Sequence, residues 1–470
     1  MKKRFTQLRS VTLPSKSSKN TKKKLTLFAL TWPIFIEFLL HMLMGNADTL
    51  MLSQYSDKSV AAVGVSNQII SVVIVMFGFI ATGTAIIVAQ YLGADDEKQA
   101  NEVSTTSLSV NFIFGALLSL ALFIFSEQIL VAMGIPEELM PEALSYMKIV
   151  GGVAFIQALL MTASAIVRSH GFTKDTMYVT IGMNILNVIG NYIFIFGPFG
   201  LPVLGVDGVA ISTVISRLLG FIVVLIILQK RVKGSLSLKV LFSFPMHHIR
   251  NLLKIGIPSA GEQLSYNTSQ MVITFYIASL GTIALTTKVY TQNLMLFILL
   301  FAVAIGQGTQ ILIGHLAGAK KFDEAYTRCI KSLKLAIIIS FSMGAIFYTF
   351  AEPLFRIFTS NEDIITVGKS LIFLTIILEP GRAFNLVVIN SLRAAGDVKF
   401  PVYMGIASMW GLSVPIAYVL GIYFGYGLVG IWIAFIIDEW FRGIIMLIRW
   451  RSRVWENKSF TNKPDVLLEK

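Results

Sequence analysis

Apolar residues run along this chain in stretches of about 20, separated by short polar breaks, and the stretches do not alternate with period two. A bilayer core needs about 20 apolar residues per helix, so the pattern predicts twelve membrane-spanning helices. They begin near Leu25, Val60, Val103, Ala143, Asp175, Val206, Asn251, Ile283, Ala325, Ile364, Phe400 and Gly427. Several breaks are turn-rich, among them Gly134-Ile135-Pro136 and Gly197-Pro198-Phe199-Gly200-Leu201-Pro202. A transmembrane β-barrel is excluded, because its strands are shorter and alternate. The expected fold is an all-α membrane protein.

The pattern repeats. Gly83-Thr84-Ala85-Ile86-Ile87-Val88-Ala89-Gln90-Tyr91-Leu92-Gly93-Ala94 aligns without gaps to Gly308-Thr309-Gln310-Ile311-Leu312-Ile313-Gly314-His315-Leu316-Ala317-Gly318-Ala319. The same constant shift carries Pro33 onto Pro258, Glu37 onto Glu262, and Arg168 onto Arg393. Several matches in order at one shift imply duplication. Each copy holds six spans, an even number, so both insert the same way round. Parallel repeats of this kind are related by an axis along the membrane normal, and transporters built so bind substrate between the halves. The expected organisation is a basic tail (1–24), an N-terminal lobe (25–229), a linker (230–250) with an amphipathic stretch, a C-terminal lobe (251–450) and a second tail (451–470).

Composition agrees with this and adds orientation. Only 14% of residues are charged, against about 25% in soluble domains. The net charge of +13 would suggest nucleic acid in a soluble protein. Here the Lys and Arg residues gather in alternate connections. Nine precede Leu25, at positions 2, 3, 4, 9, 16, 19, 22, 23 and 24, and others follow spans six, eight and twelve. The positive-inside rule then puts both termini in the cytoplasm of a multi-pass protein of the cell membrane, with no nucleic-acid partner. The single cysteine, Cys329, can form no internal disulfide.

Ionisable and amide residues inside the spans are the candidate chemistry, because burying them in lipid is costly without a partner or a task. Glu37 and Asp48 share span one. Eleven residues apart, they return to the same helix face, about 16 Å apart along the axis. Asn184, Asn187 and Asn191 form a stripe on span five at i, i+3 and i+7, and span six adds Ser212, Thr213 and Ser216. Amide oxygens are neutral ligands for a small cation, while the NH₂ groups can bond a carboxylate. Glu262, the twin of Glu37, follows Pro258 in span seven. Asn67-Gln68 and Gln292-Asn293 are twin polar pairs, expected to line a substrate cavity with Glu37 and Glu262. Glu379 with Arg382, and Asp438 and Glu439 with Arg442, sit at helical spacings that read as internal ion pairs. Packing glue is the plain alternative for the amides. No G-x-x-x-x-G-K-[ST], H-E-x-x-H or G-x-S-x-G pattern occurs, so ATP hydrolysis and these common enzyme sites are not expected. His247-His248 is a weak metal signal.

From about Leu25 to Arg449 the chain resembles the multidrug and toxic compound extrusion (MATE) transporters. The resemblance rests on Gly45-Asn46-Ala47-Asp48-Thr49, on Ala61 to Gln68, on Gly83 to Ala94 and its looser twin, on Asn187-x-x-x-Asn191 before Ile195-Phe196-Gly197, and on Arg168-x-x-Gly171 and Leu392-Arg393-Ala394-Ala395-Gly396-Asp397. It implies a V-shaped pair of six-helix pseudo-symmetric lobes and multidrug efflux of cationic or amphipathic organic compounds, coupled to inward Na⁺ or H⁺. It also implies that Asp48, Asn187, Asn191 and Thr213 form a cation-coupling site, at which Na⁺ would sit on Asp48, with Glu262 serving the second lobe. Asn191 stands where the family often has Asp. No cofactor beyond the coupling ion is expected, and the expected state is a monomer in the lipid bilayer. A lipid-linked oligosaccharide flippase is the alternative within the superfamily, though its cavity should be cationic. A non-transporting receptor or scaffold is the alternative outside transport.

Overall fold

The computed structural model describes residues 25–232 and 245–461. The expected N-terminal tail, and most of the linker with its amphipathic stretch, lie outside the described residues. Among the described residues, twelve elements have spanning length. They are α1 (Leu27–Ser53), α2 (Asp57–Gly93), α3 (Glu97–Ile124), α4 (Met140–Gly151 with Phe155–Ser169, bent by 42°), α5 (Thr173–Phe196) and α6 (Gly205–Arg231). The second six are α7 (Met246–Ser279), α8 (Thr282–Gly318), α9 (Phe322–Thr349), α10 (Glu362–Ala394), α11 (Lys399–Tyr423) and α12 (Gly427–Arg451). Ten of these are apolar enough to cross a membrane by length and composition, taking the bent α4 as one span. The other two are α7, whose first turns carry His247, His248, Arg250 and Lys254, and α12, which carries Asp438, Glu439 and Arg442.

The duplication is visible in the element boundaries. α2 and α8 have equal lengths of 37 residues, and their first residues, Asp57 and Thr282, are twins under the shift found in the sequence. α3 and α9 have equal lengths of 28 residues, and Glu97 and Phe322, which begin them, are twins as well. So are Ser126 and Ala351, which open the short helices Ser126–Ala132 and Ala351–Arg356 after α3 and α9.

The chain divides into two compact units, and each borrows a segment from the other half of the sequence. One holds Trp32–Val88 and Asp96–Gly256; the other holds the described residues up to Thr31, Ala89–Asp95 and the chain from Ile257 on. Twin glycines account for part of the exchange. In the first unit, a Cβ on Gly83 would sit 3.5 Å from the Leu252 carbonyl at the start of α7. In the second, a Cβ on Gly308 would sit 2.6 Å from Thr31 Oγ1, near the start of α1. Small residues permit such close backbone approach in membrane helices. At the ends of α2 and α8 the approach is tighter still. A Cβ on Gly93 would collide with the His315 carbonyl, and one on Gly318 with the Gln90 carbonyl. Gln90 and His315 are themselves twins, so this crossing is reciprocal.

Within the first unit, α3 packs a stripe of small polar residues against α4. Asn111 Nδ2 donates to Thr162 Oγ1 at 2.6 Å and to the Ala158 carbonyl at 3.1 Å, and Ser119 Oγ accepts from the Phe155 amide at 2.9 Å. The second unit has a large apolar core in which Val387, Val388 and Leu392 of α10 meet Ala302 and Ile313 of α8 and Met446 of α12. The chain after α12 belongs to this core. Trp455 is fully buried and stacks on Trp450, with ring centroids 4.1 Å apart. Ser459 Oγ and the Phe460 amide both donate to Gln90 Oε1, at 2.9 and 2.7 Å, while Gln90 Nε2 donates to the Ala394 carbonyl at 2.6 Å. Asp397 takes Arg449 Nε and Lys458 Nζ, each at 2.8 Å.

Candidate functional site

The first cluster is built where α5 and α6 cross. Gly190 makes the crossing close, since a Cβ there would collide with Ser212 Oγ. Ser212 Oγ donates to the Asn187 carbonyl at 2.9 Å, and Asn187 Nδ2 reaches Thr213 Oγ1 at 3.3 Å. One turn further along α5, Asn191 Nδ2 donates to Asp48 Oδ1 on α1 at 2.6 Å and approaches Asn187 Oδ1 at 3.4 Å. Asp48, Asn187, Asn191 and Thr213 are thus brought together. Both asparagines are fully buried, and Asn191 Oδ1 has no hydrogen-bond partner among the described residues. A carboxylate beside amide and hydroxyl oxygens, one of them (Asn191 Oδ1) unpartnered among the described residues, is a set of hard ligands suited to a small cation or a proton.

Two residues that the sequence reading gave no role complete this cluster. Tyr146 of α4 is buried and donates to Asn67 Oδ1 at 3.2 Å. Arg217, one helical turn after Thr213, is close enough to act electrostatically on both Asp48 and Tyr146. The cluster therefore holds one carboxylate and one guanidinium. Asn67 enters through its bond with Tyr146, although both it and its neighbour Gln68 are exposed.

Glu37 lies nearer the start of α1 and faces the same partner helix as Asp48. Arg168 Nη1 at the end of α4 donates to Glu37 Oε1 at 2.6 Å, and Thr176 Oγ1 of α5 donates to Oε2 at 3.1 Å. Between the two carboxylates, Asn184 Nδ2 of α5 donates to the Leu40 carbonyl at 2.9 Å. The same construction recurs in the second unit, where Arg393 pairs with Glu262. Each glutamate expected to face a cavity is thus held by an arginine of its own repeat. Sequence could have found these pairs, because both members move together under the repeat's shift.

A third cluster lies in the second unit. Arg382 Nη1 bonds Glu379 Oε1 at 2.6 Å, and Arg442 Nη2 bonds Asp438 Oδ2 at 2.8 Å and Glu439 Oε1 at 3.0 Å. Asn385 Nδ2 donates to Glu439 Oε2 at 3.0 Å, Ser408 Oγ donates to Asp438, and Arg382 Nε stands 3.6 Å from Glu439 Oε1. The two ion-pair sets read from the sequence are one network, with three carboxylates and two guanidiniums. Its Arg382, Asp438, Glu439 and Arg442 form the polar wall of a cavity of about 160 Å³ that Gln292, Tyr266 and Trp432 also line. A π-helical turn of α11, Met409–Ser413, borders it. Such turns appear often at functional sites. Asn293, the neighbour of Gln292, is exposed and does not line this cavity. Lys288 of α8 donates to Thr274 Oγ1 of α7 at 2.6 Å.

The histidine pair holds no metal-like arrangement. The His247 ring lies 3.1 Å from Asn251 Nδ2, and His248 Nε2 lies 3.5 Å from Glu102 Oε2. Among the described residues no three His, Cys, Asp or Glu side chains are grouped to hold a metal ion.

Spanning helices in two copies of one pattern, with buried carboxylates and amides, define a membrane transporter rather than a soluble fold. The model of the MatE family matches residues 33–193 and again 258–419, so the two matches start at the twin prolines Pro33 and Pro258. This chain belongs to the MATE family. It is 58% identical over 436 residues to the uncharacterized transporter YisQ of Bacillus subtilis, covering 93% of this chain and 96% of that protein. It is 28% identical to a probable multidrug resistance protein NorM of Thermotoga maritima, covering 97% of each. Among solved structures, a MATE transporter in the bent conformation superposes with a TM-score of 0.84 at 21% identity, over 92% of this chain and 96% of that one. A Vibrio cholerae MATE transporter gives the same TM-score at 22% identity, over 92% and 98%.

Proposed function

We propose that this chain is a secondary antiporter that exports cationic or amphipathic organic compounds by alternating access, driven by inward Na⁺ or H⁺. The observation that carries the reading is Asp48, an intramembrane carboxylate bonded by Asn191 and flanked by oxygens of Asn187, Asn191 and Thr213. The relatives named as probable multidrug resistance proteins support the substrate class. In this mechanism Asp48 binds the incoming cation or proton. The buried amides substitute for its water, so the ion does not face hydrocarbon bare. Neutralising Asp48 weakens its attraction to Arg217 and its charge-assisted bond from Asn191, and so changes how α1 packs on α5 and α6.

Glu37 and Glu262 have a different role in this reading from that of free cavity carboxylates. Their arginine partners neutralise them, so a substrate cation meets an ion pair rather than an open anion. The coupling ion is the only small-molecule co-reactant. The chain works as a monomer in the cell membrane, with both termini cytoplasmic and no nucleic-acid partner.

The test is dye efflux in everted vesicles under separately imposed Na⁺ and H⁺ gradients. Asp48→Asn should abolish ion-driven transport while expression stays intact. Coupled transport near the wild-type rate in that variant would sink the assignment.

A further inference from the structure

A groove of about 600 Å³ runs between α5 and α6, toward the ends of these helices that carry Asp175 and Arg231. Its floor is apolar and open because Gly182 lacks a side chain; a Cβ there would meet nothing within 4 Å. Leu186, Leu219 and Val223 wall it, all of them exposed although they lie on spanning helices. In a membrane, exposure on such a face is exposure to lipid. One end of the groove is charged. Lys230 and Arg231 close it together with Asp175 and Tyr178.

The dimensions and charges suit one kind of occupant. From Leu219 to Arg231 along α6 is about 18 Å at about 1.5 Å per residue. One leaflet of a bilayer core about 30 Å thick is about 15 Å deep. The groove therefore spans headgroup level to mid-membrane. At its charged end Asp175 Oδ2 lies 3.2 Å from Arg231 Nε, and Lys230 has no acidic partner among the described residues. Two cations against one carboxylate leave a positive charge uncompensated. Among the described residues Arg231 pairs with an acid only through Nε, leaving its outer nitrogens for a second acceptor, and the exposed Tyr178 sits at the same end, as aromatic rings do at membrane interfaces.

We propose that this groove is a specific site for one anionic phospholipid, with an acyl chain laid between α5 and α6 and the headgroup phosphate held by Lys230 and Arg231. The lipid fills the hollow at Gly182 and supports the helix pair that, further along, also carries Asn187, Asn191 and Thr213.

The test is native mass spectrometry of the purified full chain, titrated with phosphatidylglycerol or with phosphatidylcholine. The wild type should retain one phosphatidylglycerol in preference to phosphatidylcholine. Lys230→Glu should weaken that preference about tenfold. Gly182→Leu fills open space, so the protein should stay folded yet lose the bound lipid whatever its headgroup. Equal retention of both lipids by the wild type would overturn the proposal. So would phosphatidylglycerol retention unchanged in either variant, competition by inorganic phosphate alone, or a groove found covered by a second copy of the chain.

Discussion

Arg168 bonds Glu37 at a sequence separation of 131, and Arg393 bonds Glu262 at the same separation of 131. One ancestral ion pair is thus kept in both repeats, joining the first helix of each to the end of its fourth. The second repeat lacks one partner. Thr176, which also donates to Glu37, has Pro401 as its twin, and proline cannot donate.

Breaking these pairs from one side should be costly. Arg168→Met leaves Glu37 buried without its counter-charge, a change of about 3–5 kcal/mol in comparable cases. The double variant Glu37→Gln with Arg168→Met should recover much of the loss. Thermal unfolding of the purified protein in detergent checks this, and a double variant no better than the single one would contradict it.

Gly190→Ala should impair transport without touching any charge. Its Cβ collides with Ser212 Oγ, so α5 and α6 must separate, and Asn187 loses Thr213. Ion-driven dye efflux should fall severalfold, with expression near normal. Gly182→Ala, eight residues earlier on the same helix in open space, is the control and should be neutral.

The reciprocal crossing of α2 and α8 should tolerate no side chain. Gly93→Val and Gly318→Val each drive a side chain into backbone, which cannot swing aside as a flexible side chain can. Either variant should reduce folded yield by gel filtration. Gly134→Ala, at a surface turn with open space but a positive φ, should cost far less, about 1 kcal/mol.

Ending the chain after Arg451 should destabilise the second unit. The truncation removes the buried Trp455 and both donors to Gln90 Oε1. Loss of a buried Trp side chain costs about 3–5 kcal/mol. The unfolding midpoint should drop clearly, and Trp455→Ala in the full chain should reproduce most of the drop.

Away from the spans, Glu352 is hydrogen-bonded by Lys369 and Arg356, which hold its carboxyl below the usual carboxylate range. A lowered folded-state value means any stabilisation is present near neutral pH and lost as acid protonates the group. The group is exposed to solvent, so Glu352→Gln should leave the neutral-pH unfolding midpoint almost unchanged.

Much of this architecture was legible from periodicity. The twelve span starts read from apolar runs fall within six residues of the observed helix starts, because the thickness of lipid imposes a length and a composition that need no tertiary information. The twin positions were equally legible, since duplication leaves a constant shift. The cluster around Asp48 was foreshadowed by helix spacing and by family resemblance together. Tyr146 and Arg217 were not, because a single polar residue on an apolar helix carries no signal of which neighbour it faces.

The sequence by itself determined which segments can live in a membrane, that the chain is built twice, and which residues carry charge into lipid. Only the tertiary structure decided what each of those charges meets. Asp48 meets amides and a more distant guanidinium; Glu37 and Glu262 meet arginines of their own repeats; five charges of α10 and α12 merge into one network. The physical reason is range. Helix formation in lipid is settled locally by backbone hydrogen bonds within a segment, while the partner of a buried charge is fixed by packing between helices far apart in the chain.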